Sequence, residues 1–117
     1  MSSDLRLCVE TSDRCRNACL NAVTHALGMG GRYADDDLLG LLLDCAEVCR
    51  TTGDFIRRGS PRRSHTAAIS ADIAERCAEV CDEFTGDATM RACADACRRA
   101  ADACRQLADE AWRTWAA

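Results

Sequence analysis

The sequence predicts an all-α fold, an antiparallel up-down-up-down four-helix bundle with a cysteine-lined core. The 117-residue chain has a single proline, and short breaks divide it into four segments of roughly 20 to 30 residues without strand-like alternation. Connections this short make sequential helices antiparallel neighbours in a bundle. The length and the continuous helical pattern favour one domain over residues 1–117.

The first two helices have clear capping and stop signals. The first helix is predicted over about residues 4–27, with Ser2 or Ser3 as its N-cap, and the glycine-rich GMGG segment ends it. The three aspartates at residues 35–37 suit the positive N-terminal end of a second helix, because carboxylates are stabilised by the helix dipole there. This second helix is expected to continue to about Arg58.

The third and fourth helices are predicted from the breaks on either side of them. The GSPRRS segment interrupts the chain, and a third helix follows over about residues 65–84. The TGD turn comes next, in which Asp87 is the expected N-cap of a fourth helix that continues to about Trp115. Boundaries obtained in this way hold to within a few residues.

All ten cysteines occur at helical spacings on the predicted helices. On the first helix the steps are seven and then four residues, and on the fourth they are four and then seven, so thiols of antiparallel helices can meet at equal heights. At about 100° per residue, such steps keep the thiols of one helix within an arc of about 40°. The cysteines are Cys8, Cys15 and Cys19, then Cys45 and Cys49, then Cys77 and Cys81, and finally Cys93, Cys97 and Cys104.

The cysteine faces are predicted to point into the core. Small or apolar residues such as Ala26, Leu38 and Trp115 share these faces, and charged residues lie off them. A core built for stability alone would use leucine, which buries more apolar area and resists oxidation. The thiols are therefore expected to line the bundle axis for a chemical purpose.

Thiolates bind soft metal ions, which include Cu(I), zinc and the irons of iron–sulfur clusters. Iron–sulfur proteins use mixed cysteine spacings, and a zinc ion on four thiolates leaves a charge of about −2 in a core without basic residues. Bridging thiolates with about one Cu(I) each are neutral, so several Cu(I) ions are the favoured cargo. A zinc-binding or redox-sensing cysteine bundle, and a disulfide-stapled helical interaction protein, remain as alternatives.

The four C-x-x-x-C copies CRNAC, CAEVC, CAEVC and CADAC resemble the bacterial cytosolic copper storage protein family. The resemblance implies a four-helix bundle that stores many Cu(I) ions on inward cysteines and forms homo-oligomers. Well-populated members have more cysteines, so it implies a smaller capacity here and either storage or buffering of copper. The implied ligands are Cys15, Cys19, Cys45, Cys49, Cys77, Cys81, Cys93 and Cys97, with Cys8 and Cys104 extending the column.

Met90 marks the end of the bundle where copper is predicted to enter. It lies about 20° from Cys97 around the fourth helix, and its thioether is a soft, weak ligand for Cu(I). Met29 and His25 fall at the same end, and His25 lies roughly 100° off the cysteine face, so a surface position is expected for it. The opposite end is expected to be closed by Leu5, Ile56, Ile73 and Trp115.

Composition excludes several other functions. The net charge is −4 and basic residues cluster only in one loop, which argues against nucleic acid as a partner. No apolar stretch approaches the ~20 residues of a membrane span, and no export signal is recognised, so a cytoplasmic location is expected. No catalytic triad or phosphate-binding loop occurs, so enzymatic activity is not expected. A copper donor or acceptor protein would be a natural partner, but the sequence does not identify one.

Overall fold

The protein is a bundle of four α-helices in a computed structural model, which describes the backbone of residues 1–116 and the side chains of residues 1–113. The predicted helices are confirmed, with boundaries shifted by about two residues. No strand occurs in the described part of the chain. The helices are α1 (Ser3–Met29), α2 (Asp36–Arg57), α3 (Arg63–Asp82) and α4 (Ala88–Ala116), with a one-turn 3₁₀ helix (Gly31–Ala34) between α1 and α2.

Two of the helices begin at the side-chain caps that the sequence predicts, and α2 begins at the first of the three aspartates predicted at its N-terminal end. The Ser2 hydroxyl accepts a hydrogen bond from the Leu5 amide at 3.2 Å, and Asp35 caps α2 in the same way. Asp87 Oδ1 accepts the Met90 amide at 3.0 Å. The third helix begins earlier than predicted, because the Ser60 carbonyl already accepts the Arg63 amide.

Each helix packs against two neighbours around a square. In the described residues the backbone of α1 lies next to α2 and α4, and that of α3 lies next to α2 and α4, whereas diagonal helices have no Cα atoms within 8 Å of each other. Residue numbers rise along α1 as they fall along α4, which makes this pair antiparallel and is consistent with an up-down-up-down order. The facing pairs are Cys8 with Cys104, Cys15 with Cys97, and Cys19 with Cys93.

Small side chains dominate the core between the helices. Leu42 and Met90 are the largest side chains that are completely buried, and most of the others are cysteine or alanine. This composition makes a narrow bundle with extents of 49 × 23 × 22 Å. Thiols from all four helices can therefore reach a common axis.

Exposed ion pairs join neighbouring helices at the surface. Arg57 pairs with Asp13, and Arg105 lies 2.8 Å from Asp72, contacts that contribute about 0–1 kcal/mol each. Leu43 on α2 is 49% exposed, and the homo-oligomerisation that the family resemblance implies stays a prediction. None of the described helices has the length and apolar character to span a bilayer.

The predicted closure of the end opposite Met90 is correct for two of its four residues. Leu5 and Ile56 pack in one apolar cluster with Leu107. Ile73 packs instead against the larger core cluster, because it lies ten residues into α3, about 15 Å from the start of that helix. Trp115 lies outside the described side chains.

Two buried hydroxyls connect α2 to α3. Ser70 donates its only hydroxyl proton to the Val48 carbonyl at 2.9 Å, so the Thr52 hydroxyl must donate to Ser70 Oγ at 2.7 Å. Both side chains are completely buried. The chain of two bonds therefore fixes the register between these helices in a core that offers little apolar bulk.

We expect Ser70→Ala to lower the free energy of unfolding by roughly 1–3 kcal/mol, because it removes both bonds. Thr52→Val removes only one bond and should cost about 0.5–1.5 kcal/mol. Urea denaturation of the metal-free, reduced protein measures both values. An equal or larger loss for Thr52→Val would show that the two-bond chain does not join the helices as described.

Candidate metal centre

All ten cysteines point into the bundle as free thiols. Nine have no exposed surface and Cys81 is 1% exposed, which confirms the predicted inward faces. The sulfurs of Cys8 and Cys104 are 3.5 Å apart, whereas a disulfide bond is about 2.05 Å long. The structure therefore contains separate thiols, contrary to the disulfide-stapled alternative.

Eight of these thiols lie in one core cluster, called here the eight-thiol cluster. Cys15 Sγ is 3.6 Å from the sulfurs of both Cys45 and Cys97, and Cys19 Sγ is 3.8 Å from those of Cys93 and Cys97. Sulfurs of three helices thus touch near the axis. The members are Cys15, Cys19, Cys45, Cys49, Cys77, Cys81, Cys93 and Cys97.

Two groups of four sulfurs in this cluster are close enough to hold metal ions. In each group all sulfurs lie within 4.8 Å of one another. The groups share Cys19 and Cys97, so they cannot act as two independent four-ligand sites. Shared sulfurs favour thiolates that bridge ions. The groups are Cys15, Cys19, Cys45 and Cys97, and Cys19, Cys77, Cys93 and Cys97.

Neighbouring thiols change one another's acidity. The hydrogen bond between Cys15 and Cys19 lowers the pKa of Cys15 to about 6 and raises the pKa of Cys19. A hydrogen bond from Cys15 likewise lowers the pKa of Cys45. Negative charge is thus favoured at some sulfurs while their neighbours keep protons, and a monovalent soft cation can replace those protons without changing the net charge.

The surroundings of the thiols are electrically neutral. Within residues 1–113 the buried polar side chains are hydroxyls only, those of Thr11, Ser12, Thr52 and Ser70, and no charged side chain is buried. Burying uncompensated charge is costly. The core therefore suits a metal–thiolate assembly that is itself close to neutral.

Met90 lies at the end of the eight-thiol cluster that the sequence predicts, and it is completely buried. A hydrogen-bonded group adjoins it at this end. Asp87 Oδ2 accepts the Tyr33 hydroxyl at 2.8 Å and lies 2.7 Å from His25 Nε2. His25 is therefore held by Asp87 with 27% of its side chain exposed, so the expected surface position is correct only in part, whereas Met29 is 55% exposed.

Sequence reasoning missed this group because the 3₁₀ helix that brings in Tyr33 was not predicted. The Tyr33 ring stacks on Phe84 with centroids 4.4 Å apart. The one available signal was the single tyrosine of the chain, placed two residues after the GMGG break. Its partner Asp87 was recognised only as a helix cap.

Cys8 and Cys104 lie apart from the other thiols, in a second core cluster with Ile56 and Leu107. Cys104 Sγ is 3.7 Å from the Ser12 hydroxyl. The hydrogen bond between the two thiols lowers the pKa of Cys8 and raises that of Cys104. The pair occupies the predicted faces, but the structure does not extend the column of sulfur contacts as far as this pair.

Comparisons with known proteins agree with this geometry. The sequence matches the family described as Csp, copper storage protein, over residues 1–109. A protein of known structure from Nitrosospira multiformis is 32% identical with a TM-score of 0.88, covering 94% of this chain and 99% of its own. No curated protein sequence matches the chain.

Two further solved structures are copper storage proteins. The Cu(I)-bound copper storage protein BsCsp3 is 27% identical with a TM-score of 0.84, covering 91% of this chain and 99% of its own. The apo form of copper storage protein 3 from Bacillus subtilis is 29% identical with a TM-score of 0.79, covering 88% and 97%. The likeness therefore extends over almost the entire bundle.

The hydrogen-bonded group at the Met90 end predicts a specific acid sensitivity. Bonds from His25, the Met90 amide and Tyr33 lower the pKa of Asp87 to about 2. Because this pKa is below that of an unfolded aspartate, about 3.9, the stabilisation is complete above that value. It is lost as the pH falls through about 2.

We expect the stability advantage of the native protein over Asp87→Asn to shrink between pH 4 and pH 2, roughly the interval between the unfolded and folded pKa values. Thermal unfolding of both proteins, metal-free and reduced, measures the difference. Asp44→Asn, on the exposed face of α2, is the control and should give a curve parallel to that of the native protein. A constant gap between the native protein and Asp87→Asn would contradict the assignment.

Proposed function

The chain belongs to the copper storage protein family, and we propose that it binds and stores several Cu(I) ions on its core thiolates. The observation that carries the proposal is the eight-thiol cluster, in which two groups of four sulfurs share Cys19 and Cys97. Shared sulfurs suit an ion that needs only two or three thiolate ligands and accepts thiolates that bridge two ions. The proposed ligands are the eight cysteines of this cluster together with Cys8 and Cys104.

Charge favours copper over zinc in this core. Each Cu(I) that replaces one thiol proton leaves the net charge unchanged, so the apolar surroundings impose little penalty. Two zinc ions on the six different sulfurs of the two groups would carry a net charge of about −2, in a core that buries no basic side chain among residues 1–113. The soft-metal chemistry of the family and the electrostatics of the core therefore both favour Cu(I) over zinc.

Burial argues against redox sensing. Sensor cysteines are accessible to oxidants and have low pKa values, whereas nine of these ten thiols have no exposed surface. We propose a binding role without catalysis, because the buried thiols serve as ligands for the metal cargo itself. With ten cysteines the capacity is modest, so buffering of cytoplasmic copper fits as well as bulk storage.

We also propose that copper reaches the cluster beside Met90. Its thioether is a soft ligand and belongs to the same core cluster as the eight thiols. The side chain is completely buried, and the Met90 amide bonds to Asp87, which also holds Tyr33 and His25. The proposed route therefore enters at the end of the bundle where these residues lie.

Anaerobic titration with Cu(I) is expected to saturate at several ions per chain, approaching about one per thiolate in the eight-thiol cluster. Each ion bound there should release about one proton, because thiols must lose their protons to bind metal. A chromophoric chelator and native mass spectrometry measure the stoichiometry. Saturation at one ion or fewer, or displacement of bound copper by zinc, would contradict the proposal.

The shared sulfurs should matter more than the peripheral ones. The double variant Cys19→Ala with Cys97→Ala removes both shared sulfurs and is expected to bind at least two fewer ions by the same titration. Cys49→Ala with Cys81→Ala is the matched control, since neither belongs to the groups of four, and it should lose fewer ions. Equal losses would show that the cluster has no shared centre.

Met90→Leu should slow copper loading several-fold at an unchanged final capacity, because the soft donor on the proposed route is lost. Stopped-flow mixing with a Cu(I) chelate complex measures the rate. Leu42→Ile, another completely buried residue of the same cluster, controls for altered packing and should load normally. An unchanged loading rate in Met90→Leu would exclude this route.

A further inference from the structure

A layer without thiols separates the eight-thiol cluster from the Cys8–Cys104 pair. In this layer α1 contributes Ser12, α2 contributes Thr52, α3 contributes Ser70 and α4 contributes Ala100. The three hydroxyl residues have no exposed surface and Ala100 is 1% exposed. We call these four residues the hydroxyl layer.

The antiparallel register places the four residues at one height. The facing pairs of α1 and α4 put Ser12 opposite Ala100, midway between the pair of Cys8 with Cys104 and that of Cys15 with Cys97. Thr52 and Ser70 contact each other directly at 2.7 Å. Asp13, next to Ser12, lies 3.6 Å from the position that a Cβ would take on Gly53, next to Thr52.

The hydroxyl layer is too thick for one metal ion to bridge. Cys8 and Cys15 are seven residues apart on α1, which is about 10.5 Å along the helix axis, and the same spacing separates Cys97 from Cys104 on α4. Metal–sulfur bonds are about 2.3 Å long, so two sulfurs on one ion are at most about 4.6 Å apart. The two sets of thiols cannot share an ion.

Hydroxyls do not offer a substitute link. Cu(I) prefers soft sulfur donors to oxygen. The protons of Ser70 and Thr52 are already used in hydrogen bonds. In the described residues no buried side-chain nitrogen or oxygen lacks a hydrogen-bond partner. The layer is therefore complete as it stands and needs no ion.

We propose that Cys8 and Cys104 form a second Cu(I) site, mononuclear and two-coordinate, that fills independently of the eight-thiol cluster. The inference rests on the proposed copper binding and adds a separate compartment to it. One Cu(I) replaces two thiol protons, both of which leave, so the bis-thiolate complex has a charge of −1. The ion must lie between the sulfurs and push them further apart than their present 3.5 Å.

Ser12 is a positioning residue for this second site. Its hydroxyl lies 3.7 Å from Cys104 Sγ and can donate a hydrogen bond to the sulfur once it is a thiolate. Ile56 and Leu107 pack in the same cluster, and these apolar side chains give a negative charge no stabilisation. The hydrogen bond from Ser12 therefore offsets part of the negative charge of the complex.

The test compares two pairs of α1 and α4 cysteines in anaerobic Cu(I) titrations, followed by native mass spectrometry and by the red emission of multinuclear Cu(I)–thiolate clusters. Cys8→Ala with Cys104→Ala is expected to bind one ion fewer than the native protein and to keep the full emission. Cys15→Ala with Cys97→Ala is the matched control on the same helices, and should lose more than one ion and part of the emission.

The outcomes separate this inference from the proposed function. If the native protein binds one ion or none, copper storage itself is wrong. If it binds several ions, but loss of the Cys8–Cys104 pair removes none, removes more than one, or dims the emission, the independent site is wrong. If the double variant does not fold, the titration of the native protein tests the proposal. One of the ions counted by mass spectrometry must then bind without increasing the emission.

Two further variants test the layer itself. Ser12→Ala should weaken binding of the silent ion, which is the ion at Cys8 and Cys104 that adds no emission, several-fold. The affinity of the emissive ions in the eight-thiol cluster should stay unchanged. Ser12→Cys with Ala100→Cys places thiols in the gap and should make the ion at Cys8 and Cys104 emissive, because the two compartments then join. Equal weakening of all ions by Ser12→Ala, or silence of that ion in the filled-gap variant, would overturn the proposal.

Discussion

The antiparallel register between α1 and α4 is the constraint on which the rest of the core depends. It places three cysteines of each helix face to face, with sulfurs 3.5–3.8 Å apart, although the chain separates them by up to 96 residues. A shift of one residue would rotate every thiol of a helix by about 100° and disperse the cluster. The alanines of the core, among them Ala22, Ala94 and Ala100, let the helices approach closely enough for this contact. Cysteines of α2 and α3 then complete the groups of four around the α1–α4 seam.

Much of this arrangement is readable in the sequence because its signals are local. Steps of four and seven residues fix a helix face, and serine or aspartate before a helix fixes its start, so the four helices and the inward thiols were predicted correctly. Which residues of different helices lie at the same height along the bundle axis depends on loop geometry and on helix register, and no local sequence pattern encodes either. The sequence therefore suggested a continuous column that included Cys8 and Cys104, and it placed Ile73 at the wrong level. The contact of His25 with Asp87 was missed for the same reason, since 62 residues separate the two.

The metal-free core is held together by the same groups that are proposed to bind copper. Sulfurs at 3.6–3.8 Å act as donors and acceptors for one another, and neighbouring thiols divide their protons unequally, as the opposite pKa shifts of Cys15 and Cys19 show. Protons thus occupy the positions of positive charge that monovalent copper would take over. This explains why a bundle with little apolar bulk requires no buried arginine or lysine in its described part. Exposed ion pairs such as Arg105 with Asp72 supplement the packing from outside.

The hydroxyl layer also has a consequence for oxidative damage. Thiol–disulfide exchange requires a thiolate to attack a disulfide sulfur directly, and Ser12, Thr52 and Ser70 are chemically inert toward that attack. A disulfide formed between Cys8 and Cys104 would therefore stay where it formed, because no sulfur of the neighbouring compartment can reach it. The sulfurs of the eight-thiol cluster, by contrast, touch one another, so a disulfide formed there can move between them by thiol–disulfide exchange. Oxidation of the Cys8–Cys104 pair would therefore remove two thiols and leave the remaining eight reduced.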